Sequence, residues 1–291
     1  MTSQNIKSSP SNKKTSTEKH TTMETNLTNT EPNNNLKYKV LYIYFSFDSF
    51  CKAMDSWSLK ASQSHDVNDP MENKAKNSNK VTPETFPFFC MSEIMSNDAM
   101  WGSYADRGRG ICLAFCFPTE QEEGHGVHDS FELSIAPGRT AKFRTIQYQN
   151  ERPSVQNNAE ALTYKGKYWA YEKEIRCFTT YETASHSKDN MLFFRWPMRY
   201  LAGAIIGPNC PCTPGFIKQK MRLAYKNHLS SIAIDSSADD LTNGKSCLFP
   251  DTRAESINYI VEKATIDEKA YSLNANLWSN SIYVTPNDLM K

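Results

Sequence analysis

From residue 37 onward, short apolar runs alternate with polar turns, and no segment of the chain repeats another. Residues 39–47 (KVLYIYFSF) are dense in β-branched and aromatic side chains and predict a strand. Over 48–60, Phe50, Met54 and Trp57 recur at helical spacing. Asp66-Val67-Asn68-Asp69-Pro70 is a turn string, because Asn and Asp bond their own backbone and Pro fixes its φ. A polar loop is expected over 72–85. Strands are expected at 86–91, 111–117 (ICLAFCF), 142–148, 176–181 and 202–206, the last closed by Gly207-Pro208. Between 214 and 228, Phe216, Met221, Leu223 and Tyr225 suit an amphipathic helix, with a strand at 232–234 after it. A helix over 254–263 and strands at 271–273 and 282–284 complete the pattern. Such alternation, without regular βαβ units, predicts one α+β domain over 37–291 built on a mixed sheet with flanking helices.

Composition changes the picture at the N-terminus. Residues 1–36 are dominated by Ser, Thr, Asn and Lys, with no aromatic residue and only Ile6, Met23 and Leu27 as internal apolar positions. Such a segment buries too little surface to offset its ordering entropy and is expected to be disordered. It lacks the apolar core of a secretory signal and the arginines of a mitochondrial presequence. A Ser/Thr/Asn-rich leader is also carried by some translocated bacterial effectors. No run approaches the roughly 20 apolar residues of a membrane span, so no membrane partner is expected. Lys and Arg total 33 against 32 Asp and Glu, so no global field draws in nucleic acid or anionic lipid. Most of the eight cysteines sit in apolar strings, which predicts buried, reduced thiols and a cytoplasmic setting.

Two constellations can carry chemistry. The first, Trp101-Gly102-Ser103-Tyr104 running through Asp106 to Gly110, places aromatic rings beside a glycine turn, a seat for a planar ligand. The same residues also fit a glycine-capped helix end with Trp101 packed in the core. The second is the block Lys165-Gly166-Lys167-Tyr168-Trp169-Ala170-Tyr171-Glu172-Lys173-Glu174-Ile175-Arg176. On an extended backbone Glu172 and Glu174 share a face, whereas a helix turns them roughly 200° apart. Paired carboxylates divide labour, one ionised beside a developing positive charge and the other polarising an attacking group. The alternative is a structural Glu/Arg ion-pair ladder. Cys112 with Cys116, and Cys210 with Cys212, lack the further ligands of a zinc site, so no metal is expected. Walker, dinucleotide-fingerprint and G-x-S-x-G motifs are absent. A nuclease would need a basic groove, for which Arg107, Arg109, Lys218, Lys220 and Arg222 are the only hints.

In order along the chain, Tyr42-Ile43-Tyr44-Phe45-Ser46, Asn68-Asp69-Pro70-Met71-Glu72, Cys90-Met91-Ser92, Trp101 to Phe115 and Lys165 to Arg176 resemble the bacterial proteins grouped as the Domain of Unknown Function 2971 family. That layout is in turn similar to small-toxin ADP-ribosyltransferases, whose split sheet surrounds NAD. The resemblance implies NAD as substrate and Glu174 as the carboxylate steadying the oxocarbenium ion. It implies that Glu172 orients the acceptor, a protein or nucleic acid, and that Tyr104 lies against nicotinamide, with Tyr44, Ser46, Trp101 and Arg176 completing the NAD site. It also implies a toxin, effector or phage-defence setting with an antitoxin or immunity partner. Ile43 stands where many relatives carry His or Lys, and Ser103 and Gly108 replace two histidines. These departures leave open a catalytically inactive ligand- or protein-binding module of the same fold.

Overall fold

The side-chain alternation of β1 (Lys37–Phe45) decides the architecture. Leu41, with Ile43 and Phe45, faces one apolar cluster, while Val40, Tyr42 and Tyr44 face another on the opposite side. A computed structural model describes residues 37–119, 130–235 and 259–274, less short breaks at 65, 70, 73–75, 77–85, 137–138, 182–183, 196–199 and 267–272. These residues fall in the compact unit Leu36–Lys291. The disorder expected over 1–36 and the strand expected at 282–284 lie outside the described residues, as does most of the 72–85 loop.

After β1 come α1 (Phe47–Ser56), β2 (Leu59–Ala61), β3 (Phe88–Ser92), α2 (Asp98–Tyr104), β4 (Ile111–Thr119), β5 (Ser130–Ala136), β6 (Arg139–Thr145) and β7 (Gln147–Gln149). There follow α3 (Asn158–Ala161), β8 (Tyr164–Gly166), a 3-10 helix (Lys167–Glu172), β9 (Glu174–Phe178), β10 (His186–Lys188) and β11 (Met191–Phe194). The last described elements are β12 (Leu201–Ile206), α4 (Pro214–Asp235), β13 (Ile260–Lys263), β14 (Thr265–Ile266) and β15 (Leu273–Asn274). The protein is therefore α+β, with an eight-stranded sheet in the order β13-β12-β4-β1-β3-β9-β6-β5. The sheet is mixed because β12 and β13 run parallel, whereas its other pairs are antiparallel.

The sheet is nearly split in the middle. β1 pairs with β4 along its full length, from Lys37↔Thr119 to Phe45↔Ile111. With β3 it pairs only at Tyr42↔Ser92. Beyond that pair the two strands splay, and a wedge opens between residues 42–45 of β1 and 89–92 of β3. One face of the sheet is covered by α1 and α4, with Phe47 against Phe216 at 6.2 Å between ring centroids. The other face of the β1–β4 half carries α2, where the Trp101 ring meets the Tyr44 edge at 5.3 Å.

Two predicted strand and helix assignments are corrected. Residues 232–234 belong to α4, which continues because no Gly or Pro interrupts the chain from Phe216 to Asp235. Residues 260–263, expected to end a helix, form β13, where the β-branched Ile260 and Val261 pair with Gly203 and Ala204 of β12. Among the described side chains of α4, Ile217, Met221, Ala224 and Tyr225 are buried, while Phe216 and Leu223 are exposed. The 3.6-residue period selects that set over the one expected. α1 does bury Phe50 and Met54 as its spacing predicts, and ends at Trp57 in the left-handed conformation. Of the two glycines next to β4, Gly110 is sterically required: a Cβ there would lie 1.9 Å from the Phe45 carbonyl oxygen.

Candidate functional site

The wedge between β1 and β3 encloses a cavity of about 280 Å³. Its walls carry Tyr44 and Phe45 from β1, Phe89 and Cys90 from β3, and Tyr104 from the end of α2. Leu59, Lys60, Asp66 and Asn68 also line it, and a further wall is a buried charge cluster drawn from three separate stretches of chain: Glu72 after the turn string, Lys165 on β8, and Glu172, Glu174 and Arg176 around the start of β9.

Local backbone geometry brings the carboxylates together. Glu172 is the last residue of the 3-10 helix, Lys173 is left-handed (φ 46°, ψ 50°), and Glu174 is the first residue of β9. Neither a continuous strand nor a helix holds the pair, so the extended segment considered from the sequence is replaced by this kink. Ser92 Oγ fixes the kink by donating to the Glu172 carbonyl at 2.6 Å, and Asn97 Nδ2 donates to the Tyr171 carbonyl at 3.2 Å. The Glu174 amide donates to the Tyr148 hydroxyl at 2.8 Å. In register, Glu174 stands opposite Ser92 and Arg176 opposite Cys90, which puts these side chains on one face of the β3–β9 ladder.

Lys165 Nζ sits 2.6 Å from Glu172 Oε2, 3.3 Å from Glu174 Oε2 and 3.7 Å from Glu72 Oε2. Arg176 is fully buried; it donates through Nε to Glu174 Oε1 at 2.8 Å and through Nη2 to Glu174 Oε2 at 3.2 Å. Its Nη1 donates to the Leu162 carbonyl at 2.8 Å, and the guanidinium stacks over Phe88 at 4.6 Å. The Tyr104 hydroxyl donates to Glu172 Oε1 at 2.5 Å and accepts from Asn68 Nδ2. Glu72 is ion-paired with Arg176 Nη2 through Oε1, and its Oε2 lies 3.7 Å from Lys165 Nζ.

The titration of each group follows from these contacts. Burial pushes the Glu174 carboxyl up, but Arg176, Lys165 and the Cys90 thiol outweigh it and hold it at about 2, so Glu174 is an anion. For Glu72 burial prevails over Arg176 and Lys165, and its carboxyl is raised above the usual range. Burial works against a charged Lys165 and a charged Arg176, but the surrounding carboxylates more than compensate and keep both cationic. Burial and the Glu172 carboxylate together push the Tyr104 phenol up, so it stays a donor. Cys90 is solvent-exposed where it lines the cavity, and desolvation by the protein around it together with the Glu174 carboxylate holds its thiol well above the normal value.

Of the residues singled out in the sequence, Glu172, Glu174, Tyr44, Tyr104 and Arg176 line this cavity. Trp101 and Ser46 do not. The Trp101 indole is 2 % exposed and donates to the Met95 carbonyl at 2.6 Å, so it is a core residue of α2. Ser46 caps α1, accepting from the Ser49 amide at 3.2 Å. Tyr44 is tied by its hydroxyl to the Ile94 carbonyl at 2.9 Å, leaving its ring as wall. Tyr104 and Glu174 line the same cavity, and the Tyr104 hydroxyl donates to Glu172. Sequence reasoning missed Lys165, Glu72 and Asn68 as members of the cluster. The signal for Glu72 is the turn itself: the Met71 amide donates to Asp69 Oδ1 at 2.9 Å and the Glu72 amide to the Asp69 carbonyl at 3.0 Å, which rolls Glu72 inward.

Among the described residues, no group of three or more His, Cys, Asp or Glu side chains is arranged to hold a metal ion, and no helix is long and apolar enough to cross a membrane. Fold and site thus define an α+β protein with a charged cavity at the split of a mixed sheet. Compared with family models, curated proteins and solved structures, the chain matches none.

Proposed function

We propose that the protein is an NAD-dependent ADP-ribosyltransferase, acting as an NAD glycohydrolase when water is the acceptor. The observation that carries this reading is an ionised, buried Glu174 on the wall of an aromatic-lined cavity whose cluster holds three carboxylates against two cations. Fully ionised, that cluster has a charge of −1, and N-ribosylated nicotinamide is a planar cation that balances it. As the glycosidic bond breaks, its electron pair goes to the ring nitrogen and the positive charge passes to the ribose. A fixed anion in a sheltered site lowers the energy of that oxocarbenium ion. The acceptor's lone pair then forms the new bond to the anomeric carbon, and its proton is released. Glu172, held by Tyr104 and Lys165, is the group to orient the acceptor. Ligand pockets start at roughly 300 Å³, so a cavity of about 280 Å³ seats the nicotinamide nucleoside end while the rest of NAD leaves through the mouth.

A second reading, a non-catalytic binding module, is favoured by one observation: both Glu174 oxygens are engaged by Arg176 and Lys165. Thermal shift with millimolar NAD and chromatographic assay of nicotinamide release separate the two. A ligand bound only by the native state raises Tm by mass action. A transferase shows the shift and the release, and Glu174→Gln lowers release by about 10²–10³-fold under conditions where circular dichroism reports a folded variant. A shift without release leaves the module. Neither shift nor release overturns the NAD reading altogether.

A further inference from the structure

We propose that Tyr104 is a covalent nucleophile: its phenolic oxygen takes up the ribosyl group as nicotinamide leaves, and Glu172 is the base that accepts its proton. The inference rests on the NAD reading, which supplies the ribosyl donor.

The geometry is that of a nucleophile with its base. Tyr104 is the last residue of α2, is half-buried, and lines the cavity together with Glu172 and Glu174. Its hydroxyl donates to Glu172 Oε1 at 2.5 Å, close enough for direct proton transfer. The base is oriented in turn by a third group, Lys165, whose Nζ lies 2.6 Å from Glu172 Oε2. Asn68 Nδ2 donates to the phenol oxygen, so a donor stands ready for negative charge on that atom when it attacks and when it later leaves. A phenol activated by a carboxylate is a known nucleophile at anomeric carbons. Other groups at the cavity are tied differently. Ser92 and Tyr44 give their protons to the Glu172 and Ile94 backbone carbonyls, which are not bases at neutral pH. Glu174 has both oxygens on Arg176 and Lys165 and its carboxyl held at about 2, which makes it a weak base and a weak nucleophile.

The step also balances the charge of the cavity. Three carboxylates against two cations leave −1, and the pyridinium ring of NAD brings +1. As the Tyr104 oxygen bonds to the anomeric carbon, the bond to the ring nitrogen breaks and its electron pair stays on nitrogen, while the phenol proton passes to Glu172. Burial and the Glu172 carboxylate push the phenol up in the resting site, so its proton moves only together with that bond formation. Nicotinamide leaves neutral, the ribosyl-tyrosine is neutral, and so is the cluster with Glu172 protonated. No buried charge is left uncompensated at any point. Water or another acceptor then bonds to the anomeric carbon, and the electron pair of the carbon–tyrosine bond returns to the phenol oxygen. That oxygen recovers its proton from Glu172, and the acceptor's proton passes to solvent.

Two successive displacements at one carbon retain its configuration, and the first leaves a ribosylated protein. The full chain mixed with NAD, quenched in acid within the first turnover and analysed by mass spectrometry is expected to carry an ADP-ribosyl group on the peptide that holds Tyr104. Nicotinamide is expected to appear in a burst of up to one molecule per chain. Once NAD is withdrawn, the group is expected to decay no more slowly than steady-state turnover. With methanol as acceptor, NMR of the methyl riboside is expected to show the configuration of the starting NAD. Tyr104→Phe is expected to lose both the adduct and the burst, and the wild-type measurements stand whether or not that variant folds. Nicotinamide release with no group on Tyr104, a product of inverted configuration, or a group that persists after NAD is withdrawn each overturns the covalent step and leaves the NAD reading standing. Absence of nicotinamide release overturns the transferase reading and the covalent step together.

Discussion

Removing Lys165 tests whether the cluster is a sheltered charge balance or a set of hydrated surface pairs. Lys165→Met keeps much of the stem and deletes the cation that contacts Glu172 at 2.6 Å, Glu174 at 3.3 Å and Glu72 at 3.7 Å. Three buried carboxylates then face Arg176 alone. Breaking a buried pair by removing one partner costs about 3–5 kcal/mol, because the remaining charge is left uncompensated. At about 2–4 °C per kcal/mol for a domain of this size, Tm falls by roughly 6–20 °C. Glu72→Gln has the opposite character. It reduces three carboxylates to two against two cations, so its own effect stays within about 1 kcal/mol. Added to Lys165→Met, it removes one of the uncompensated anions and recovers about 1–3 kcal/mol, a coupling that a double-mutant cycle reads directly. Thermal unfolding followed by circular dichroism at pH 7 supplies all four corners. A loss below about 2 °C for Lys165→Met, under the range just derived, or a double variant no more stable than that single one, refutes the claim that these charges are shielded from water.

Four further outcomes follow from individual sites. Glu174 has its carboxyl lowered from 4.5 to about 2, so its contribution is complete above 4.5 and lost as the pH falls towards 2; acid unfolding monitored by fluorescence is expected to show about 3 kcal/mol of loss in that window. Glu72 has the reverse sign, its raised carboxyl favouring the native state at low pH, so wild-type stability declines as pH rises above 4.5 and Glu72→Gln removes the decline. Gly110→Ala places a Cβ 1.9 Å from the Phe45 carbonyl oxygen at the end of β1; a loss of more than about 3 kcal/mol in urea is expected, since backbone has to move. Lys173→Gly relieves a left-handed lysine at φ 46° and raises stability by up to about 1 kcal/mol, and a loss of stability would show that this kink is not strained.

The strands were legible where unbroken apolar runs marked them. The runs at 111–117 and 202–206 coincide closely with β4 and β12, because both are buried on two faces and read as continuous apolar strings. Positions 232–234 and 260–263 were misread because a short run containing β-branched residues fits either element, and only the neighbouring strand or the uninterrupted helix decides. The E-x-E spacing pointed to Glu172 and Glu174 correctly as cavity residues but for a different local geometry, since a left-handed Lys173 has no signature in a lysine. Glu72 and Lys165 were invisible as partners for another reason. Their pairing joins a turn before β3 to strands β8 and β9, and no local period encodes a contact between segments so distant. Trp101 illustrates the opposite error: an aromatic beside glycines reads as a ligand seat, yet its indole finds a carbonyl partner within the core.

The two halves of the sheet solve the same packing problem in different ways, and the contrast bears on function. On the β1–β4 side, the face away from α1 and α4 is closed by Val40, Tyr42, Trp101, Cys112 and Ala114, an apolar cluster with its one indole donor satisfied. On the β3–β9 side, the corresponding face carries Glu174, Arg176 and Cys90 in ladder register, with Lys165 and Glu72 beneath. Well-packed apolar residues of similar volume stabilise a core as well as or better than a buried ion network, whose desolvation cost offsets its Coulomb gain. Stability alone therefore gives no reason for five charged side chains on this face when the same sheet already closes its other half with apolar ones. What the charges supply is a fixed field in a sheltered wedge, aimed at a cavity that opens where β1 and β3 part after a single residue pair. A field of that kind does work only when a charge enters or develops beside it, and the surplus carboxylate sets the sign of that charge as positive.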